Sequence, residues 1–186
     1  MRGDYRRKAA LARIHTTLDS FYLRQEIDWD YDIRKLLDHI LEIALNELEF
    51  GEKGRKIDRG LIIVRPEGGG EYEVQAGWGV EGEDLQFSRT VMNETLDSGG
   101  PVLYENASND PRFINAESLK ALEVVSLMSV PIEADSKTLG AIYVERRDSS
   151  YVFGPEDVAF LASFSETIAP YVKTALIHQE HVAAIR

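Results

Sequence analysis

Hydrophobic residues recur at helical spacing in the N-terminal part of the chain. The pattern predicts two helices, over about residues 5–25 and about residues 31–48. The first has a narrow apolar stripe, which suits contact with a partner helix, and the second has a wide apolar face, which suits a core. The stripe of the first helix consists of Leu11, Ile14, Leu18 and Phe21.

The middle of the chain changes to a period of two, which is typical of β-strands. A β-branched run at Leu61–Val64 is followed by a turn signal and by alternating residues at 72–76, which predicts a hairpin. Strands over Ser126–Glu133 and Leu139–Arg146 predict a second hairpin. Because hairpins require antiparallel pairing, the predicted fold class is α+β.

Two further helices are predicted after the first hairpin. A short one over about 88–98 ends at Gly99-Gly100, and a brief strand follows at Val102–Tyr104. A long one begins at Pro155 and extends to about Ala184. Its apolar residues lie on two faces, so we expect it to be sandwiched between the sheet and a second helix, from this chain or from another subunit.

Composition narrows the functional classes. The 186-residue chain is 44% hydrophobic, has a formal net charge of −11 and contains no cysteine. The absence of cysteine excludes disulfides, thiolate metal sites and cysteine nucleophiles. The acidic balance works against binding to phosphate backbones. With no long apolar run and no leader visible, we expect a cytoplasmic protein that binds neither nucleic acid nor membrane.

No catalytic constellation is recognisable in the sequence. The chain lacks the nucleophile elbow G-x-S-x-G and the zinc motif H-E-x-x-H, and its four histidines do not form a ligand set. No pair of carboxylates stands out as acid and base. We therefore expect that the chain is not an enzyme and holds no metal, and the sequence names no cofactor.

The stretch Asn106–Phe113 is the strongest candidate for a ligand-contacting loop. It gathers polar side chains in one long connection beside a predicted sheet, an arrangement typical of a loop that covers a ligand. The alternative is a loop that satisfies itself, in which Asp110 bonds to local backbone and Arg112 pairs with Asp110.

Five stretches, taken in order, resemble the GAF domain family. The resemblance covers about residues 30–175 and depends on the order of the pieces as much as on each motif. The stretches are Gly99-Gly100-Pro101-Val102, Asp110–Phe113, Ser126–Ile132, Leu139–Glu145 and Phe153–Asp157.

The resemblance implies a PAS-related central antiparallel sheet of five or six strands with flanking helices, and long N- and C-terminal helices packed together. It implies a regulatory sensor domain of a bacterial signalling or transcription-regulatory protein, similar to modules that precede AAA+ activators of the alternative sigma factor. Members bind small molecules and often dimerise through their terminal helices. The cysteines of bilin-binding and methionine-sulfoxide-reducing members are absent here, and the phosphodiesterase signature Asn-Lys-Phe-Asp-Glu is not recognisable.

The resemblance also implies a division of the chain and a set of pocket residues. An N-terminal helix for dimerisation or linkage would occupy 1–27, the GAF domain 28–176, and the end of a signalling helix 177–186. Aromatic side chains would supply contact area, Arg112 would hold an anionic group, and Asp110 or Ser126 would orient the ligand. The predicted ligand-binding residues are Trp78, Phe87, Tyr104, Asp110, Arg112, Phe113 and Ser126.

The alternative function is a structural dimerisation module without a ligand. It would have the same fold, with the pocket filled by the chain's own side chains. Tyr104 and Phe113 would then be ordinary core residues.

Overall fold

A computed structural model gives four α-helices and five β-strands in the residues that it describes. The helices are α1 Arg2–Tyr22, α2 Trp29–Glu49, α3 Arg89–Ser98 and α4 Pro155–Ile185. The strands are β1 Arg59–Val64, β2 Glu73–Trp78, β3 Val102–Tyr104, β4 Ser126–Ala134 and β5 Lys137–Arg146. The described residues are 2–22, 29–49, 56–65, 70–80, 86–107, 110–111, 123–148 and 151–185, with backbone alone at 2–4, 6, 21–22, 29–33 and 180–185.

The five strands form one antiparallel sheet in the order β2-β1-β5-β4-β3. Both predicted hairpins are present, since β1 pairs with β2 and β4 pairs with β5. The β4–β5 turn consists of Asp135 and Ser136, which have φ values of 50° and 62°. Positive φ at both central residues matches the twist of the flanking strands. The predicted α+β class, with a five-stranded sheet, is confirmed.

Helices α1, α2 and α4 cover one face of the sheet, here called the helix face. Their apolar residues pack against alternate strand residues such as Ile62, Val130 and Ile142. In the narrow stripe of α1, Ile14 and Leu18 are fully buried, and α1 contacts α2 and α4. The stripe therefore has its partner helices within the same chain.

Both apolar faces of α4 are also buried within the chain. Leu161 and Ile168 on one face and Phe160 and Phe164 on the other are all buried, and α4 contacts β4, β5, α1 and α2. The second helical partner that the sequence left open is therefore intramolecular. No helix in the described part of the chain has both the length and the apolar character needed to cross a membrane.

Helix α3 packs on the opposite face of the sheet, here called the α3 face. Ser88 caps its N-terminus by accepting a hydrogen bond from the Val91 backbone N–H. Gly99 ends it with a φ of 61°, and its N–H donates to the Thr95 carbonyl at 3.1 Å. Val91 and Met92 are fully buried, and α3 contacts β3, β4 and β5, so the predicted short helix is present and covers the sheet.

A β-bulge interrupts the predicted alternation in β2. Ile62 pairs with Ala76 and Ile63 pairs with Val74, so the intervening Gln75 has no residue opposite it. Gln75 is buried, and its side-chain oxygen accepts a hydrogen bond from the Gln179 amide at 3.3 Å. In a strictly alternating strand over 72–76, Gln75 would face solvent. The predicted alternation is therefore wrong at Gln75. The bulge places Val74 on the α3 face and Ala76 on the helix face.

Candidate functional site

A cluster of buried polar side chains lies on the α3 face, where β1 and β5 run beside the segment before α3. It consists of Arg59, Tyr143 and Glu145, and we call it the buried polar cluster. Tyr143 and Glu145 are two residues apart in β5 and therefore lie on the same face of the sheet. The Tyr143 hydroxyl donates to Glu145 Oε2 at 2.7 Å, and Arg59 Nε lies 3.7 Å from Glu145 Oε1. Arg147 Nη2 donates to the same Oε1 at 3.1 Å.

Burial raises the pKa of both acids in this cluster. The pKa of Tyr143 lies well above its ordinary 10.0, first because of burial and then because of the neighbouring Glu145 carboxylate. Burial also raises the pKa of Glu145 above 4.5, although the Tyr143 hydrogen bond and the Arg59 and Arg147 charges oppose that rise. Such perturbed groups occur at functional sites and in structural ion-pair networks alike.

The cluster also fastens the start of α3 to the sheet. Arg59 Nη1 donates to the Gln86 carbonyl, and Tyr143 has a backbone hydrogen bond with Ser88, the residue that caps α3. Arg59 and Tyr143 therefore also help to position the N-terminus of α3. A change in hydrogen bonding at Tyr143 would therefore alter a contact at the N-terminus of α3.

Ser129 adds an unusual hydroxyl to the same face. In the sheet register it lies opposite Tyr143 on one side and Val102 on the other. Its side chain is fully buried, and its Oγ has no hydrogen-bond partner among the described residues. A buried polar group without a partner costs about 1–3 kcal/mol of stability, so the hydroxyl needs an explanation beyond packing.

Aromatic rings line this face between β2 and β5. The half-buried Phe87 packs edge-to-face on Tyr72 and Tyr143, with ring centroids 6.0 Å and 6.5 Å apart. The Tyr72 hydroxyl donates to Asn93, and the Tyr104 hydroxyl donates to Glu94. Both acceptors lie on α3, so these tyrosines attach the helix to the two edges of the sheet.

The structure distributes the sequence-predicted ligand residues over two faces. Phe87 and Tyr104 lie on the α3 face, whereas Trp78 packs against the core on the helix face. Ser126 is buried, and its Oγ donates to the Tyr104 carbonyl at 3.1 Å and accepts from the Phe153 N–H at 3.0 Å. Asp110 is half-buried. Arg112 and Phe113 lie outside the described residues.

Sequence reasoning missed the polar residues of the strands. The sequence places Ser129, Tyr143 and Glu145 in predicted strands without a functional role. It places Arg59 in a loop before the predicted run Leu61–Val64, whereas the structure begins β1 at Arg59. One signal was available for Tyr143 and Glu145, because residues two apart in a strand share a face. Another was the single hydroxyl of Ser129 between the apolar residues Met128 and Val130. Neither signal predicts burial, which depends on how α3 packs.

A concavity lies away from the α3 face, between the β4–β5 turn and α4. It has a volume of about 410 Å³, and Glu133, Asp135, Glu166, Pro170 and Lys173 are among its lining residues. Lys173 pairs with Asp135, and Glu133 accepts a hydrogen bond from Thr138, so these polar groups are partnered locally. Within the described part of the chain, no group of three or more His, Asp or Glu side chains could hold a metal ion.

Comparison with known proteins gives a family match and a set of similar structures. The family model of the GAF domain matches residues 32–171. The GAF domain of a phosphoenolpyruvate-protein phosphotransferase from Coxiella burnetii is 14% identical, with a TM-score of 0.64 over 96% of this chain and 98% of that one. No curated protein matches the sequence.

Two similar structures are free methionine-R-sulfoxide reductases. The protein from Neisseria meningitidis, solved with its substrate, is 15% identical, with a TM-score of 0.65 over 91% of this chain and 89% of that one. The protein from Thermoplasma acidophilum is 17% identical, with a TM-score of 0.60 over 78% of this chain and 95% of that one. At these identities the likeness shows the fold alone.

These reductases overturn the expectation that the chain is not an enzyme. That expectation depended on the lack of cysteine and of a recognisable catalytic constellation. Enzymes share this fold, so the fold gives no ground for excluding catalysis. Catalytic groups can come from side chains that are distant in sequence and that the fold brings together, so the lack of a local motif does not exclude them.

Proposed function

The chain belongs to the GAF domain family, a family of regulatory domains that sense small molecules, and from that premise we propose that it binds a small molecule on the α3 face. The bound state would change the position of α3 and be passed to the terminal helices. We further propose that it works in the cytoplasm, within a bacterial signalling or transcription-regulatory protein.

The single observation that supports this proposal most strongly is the buried Ser129 hydroxyl. It is a hydrogen-bonding group with no partner among the described residues, and it lies opposite Tyr143, a member of the buried polar cluster. Ligand sites are mostly apolar, with a few polar groups that fix orientation, and this face has that composition. A ligand that hydrogen-bonds to Ser129 would recover the cost of the buried hydroxyl.

The ligand we propose has an apolar body and at least one polar group. Phe87 and Tyr104 would contact the body, and Ser129 with the buried polar cluster would bind the polar group. Asp110, Arg112 and Phe113 remain predictions from the sequence for the same site. Trp78 packs on the helix face, and the Ser126 hydroxyl is bonded to two backbone groups. We propose that both residues stabilise the fold and do not contact the ligand.

We also propose that two copies of the chain associate through their terminal helices. The proposed division keeps 1–27 as the dimerisation or linker helix, 28–176 as the GAF domain and 177–186 as the end of the signalling helix. Because the buried apolar residues of α1 and α4 already pack within the chain, this association would use the exposed faces of the two helices, which the α1–α4 contact brings together on the helix face of the sheet.

One observation favours the alternative of a structural module without a ligand. Leu61, Ile63 and Tyr143 are already fully buried beneath α3, so the chain's own side chains cover much of the face. On this alternative, Ser129 would be a tolerated packing defect, and the domain would serve association alone.

Native mass spectrometry of the purified chain, compared with its denatured mass, separates these functions. An additional stoichiometric mass that disappears on denaturation supports the sensor, and its value begins to identify the ligand. The dimer or monomer state is obtained from the same spectrum. Bare chains from native purification, together with no rise in melting temperature across a broad metabolite panel, would favour the structural module.

Matched serine variants test whether Ser129 contacts the ligand. We expect Ser129→Ala to weaken the binding of any ligand found by about tenfold, because one hydrogen bond is lost. Ser165→Ala is the control: its Oγ donates to the Pro131 carbonyl at 2.6 Å, on the helix side of β4. Equal affinity of the two variants for the ligand would reject the proposed role of Ser129.

A further inference from the structure

A single carboxylate, Asp157, joins the start of α4 to α1. Its side chain is 3% exposed. Its Oδ2 accepts hydrogen bonds from the Gly154 N–H at 3.0 Å and from the Tyr151 hydroxyl at 2.6 Å. Its Oδ1 accepts from Arg7 Nη2 at 3.1 Å. We call these four residues the Asp157 junction.

Within α4, Asp157 has a local task. Gly154 immediately precedes the first helical residue, Pro155, and Asp157 is the third residue of the helix. A carboxylate at this position returns to the cap N–H, as in a capping box, and it also favours the positive end of the helix dipole. The carboxylate therefore stabilises the first turn of α4 whether or not α1 is present.

Arg7 attaches α1 to that same turn. Besides its bond to Asp157, Arg7 Nη1 donates to the Glu156 carbonyl at 2.7 Å. Its Cζ atom lies 5.6 Å from the centroid of the Phe160 ring. A planar guanidinium can satisfy a carbonyl, a carboxylate and a ring face together, which lysine cannot do. Arg7 thus holds the N-terminal half of α1 at the start of α4, and the buried residues Ala10 and Ile14 follow it in α1 by about one and two turns.

Tyr151 connects the junction to the sheet. Its ring lies beneath the guanidinium of Arg146, with Cζ 5.1 Å from the ring centroid. Arg146 is buried and is the last residue of β5, directly after Glu145 of the buried polar cluster. Adjacent strand residues face opposite sides of a sheet. The end of β5 therefore touches the candidate ligand face through Glu145 and the α1 anchor through Arg146.

We propose that the Asp157 junction controls the docking of α1 on the domain. The Gly154 N–H and the Tyr151 hydroxyl orient the carboxylate that accepts the hydrogen bond from Arg7, so the docking of α1 depends on the order of the β5–α4 connection. A shift at the end of β5 would loosen α1 through Tyr151. The regulatory use of this junction rests on the proposed sensor function, whereas the docking itself does not.

Hydrogen–deuterium exchange of the full chain, read by mass spectrometry, tests this proposal without any ligand. We expect Arg7→Met to accelerate exchange of the amides of residues 6–12 by about tenfold, because the anchor is lost. The decisive variant is Tyr151→Phe, which keeps the ring and removes only the hydroxyl. We expect it to accelerate the same amides by about threefold to tenfold, because Asp157 is no longer held.

The control variant is Arg13→Met, whose guanidinium is largely exposed and lies 3.8 Å from Glu47. We expect exchange in residues 6–12 to stay within about twofold of wild type, as for an exposed ion pair. If Tyr151→Phe leaves α1 unchanged while Arg7→Met accelerates it, the pair with Asp157 is a simple anchor and the proposed coupling is rejected. Failure of the ligand experiments would leave these exchange results intact, so the two proposals fail separately.

Discussion

The two faces of the sheet differ in what they bury. On the helix face, three helices enclose residues such as Ile14, Leu41 and Phe164, and a buried hydroxyl such as Ser165 is bonded to backbone. On the α3 face, the described residues provide the ten-residue α3, which covers a smaller apolar cluster. There Glu145 is buried between arginines, and Ser129 has no partner among the described residues.

Alternate residues of the same strands can therefore serve two different purposes, stability on one face of the sheet and binding on the other. Large apolar side chains from several elements maximise the area removed from water, which is the main source of stability. Buried carboxylates and hydroxyls reduce stability unless fully paired. A face that retains them is a candidate site for binding, and substitutions on the two faces should therefore have different consequences.

The largest effect should come from the helix face. Phe164→Ala removes a fully buried ring, and we expect it to lower the free energy of unfolding by about 3–5 kcal/mol. Urea denaturation followed by circular dichroism measures the change. Val152→Ala, at a side chain that is 40% exposed, should cost less than about 1 kcal/mol. Similar losses for the two variants would contradict the assignment of this core.

A smaller loss is expected in the buried polar cluster. Tyr143→Phe deletes the hydroxyl that donates to Glu145, which leaves a buried carboxylate with one donor fewer, and should cost about 1–3 kcal/mol. Tyr72→Phe is the matched control, because the Tyr72 hydroxyl bonds to the exposed Asn93. A Tyr143→Phe protein as stable as wild type would show that this hydrogen bond contributes nothing net.

The two serines give the most direct comparison of the faces. Ser165→Ala removes a bonded hydroxyl and should cost about 1 kcal/mol, whereas Ser129→Ala removes a hydroxyl without a partner among the described residues and should be neutral or stabilising. The same denaturation experiment measures both. Should Ser129→Ala prove as destabilising as Ser165→Ala, the Ser129 hydroxyl would have a partner in solution and the contrast would disappear.

The smallest effect concerns pH. Burial raises the pKa of Glu145 above 4.5, so the folded chain holds this proton to a higher pH than the unfolded chain does. Stability from this group is therefore present at low pH and is lost as the pH rises above 4.5. As the pH rises above 4.5, the wild-type protein should therefore lose stability relative to the Glu145→Gln variant.

Denaturation midpoints measured between about pH 4 and pH 8 would show the effect as a difference in slope between the two proteins. Glu166→Gln, at an exposed position on α4, is the control and should follow wild type. Parallel curves for wild type and Glu145→Gln would show that the Arg59 and Arg147 charges cancel the effect of burial.

Much of the fold could be predicted from the sequence because its signals are local. The spacing of Ile14 and Leu18, the glycine after α3 and the proline at the start of α4 each report on a few neighbouring residues. The ordered motifs from Gly99 to Asp157 identified the family. The candidate site was predictable only in part, since Phe87 and Tyr104 share the α3 face but the buried polar cluster was not recognised.

By itself, the sequence determined the order of the helices and strands, the α+β class and the family. Only the tertiary structure decided on which face of the sheet each side chain lies and what it contacts there. The bulge at Gln75 moves Ala76 to the helix face, and Ser126 is bonded to two backbone groups distant in sequence. Contacts between Arg7 and Asp157, or Arg59 and Glu145, join residues that no local pattern relates. The physical reason is that propensity and capping act within a few residues, whereas burial and hydrogen-bond pairing depend on the packing of the whole chain.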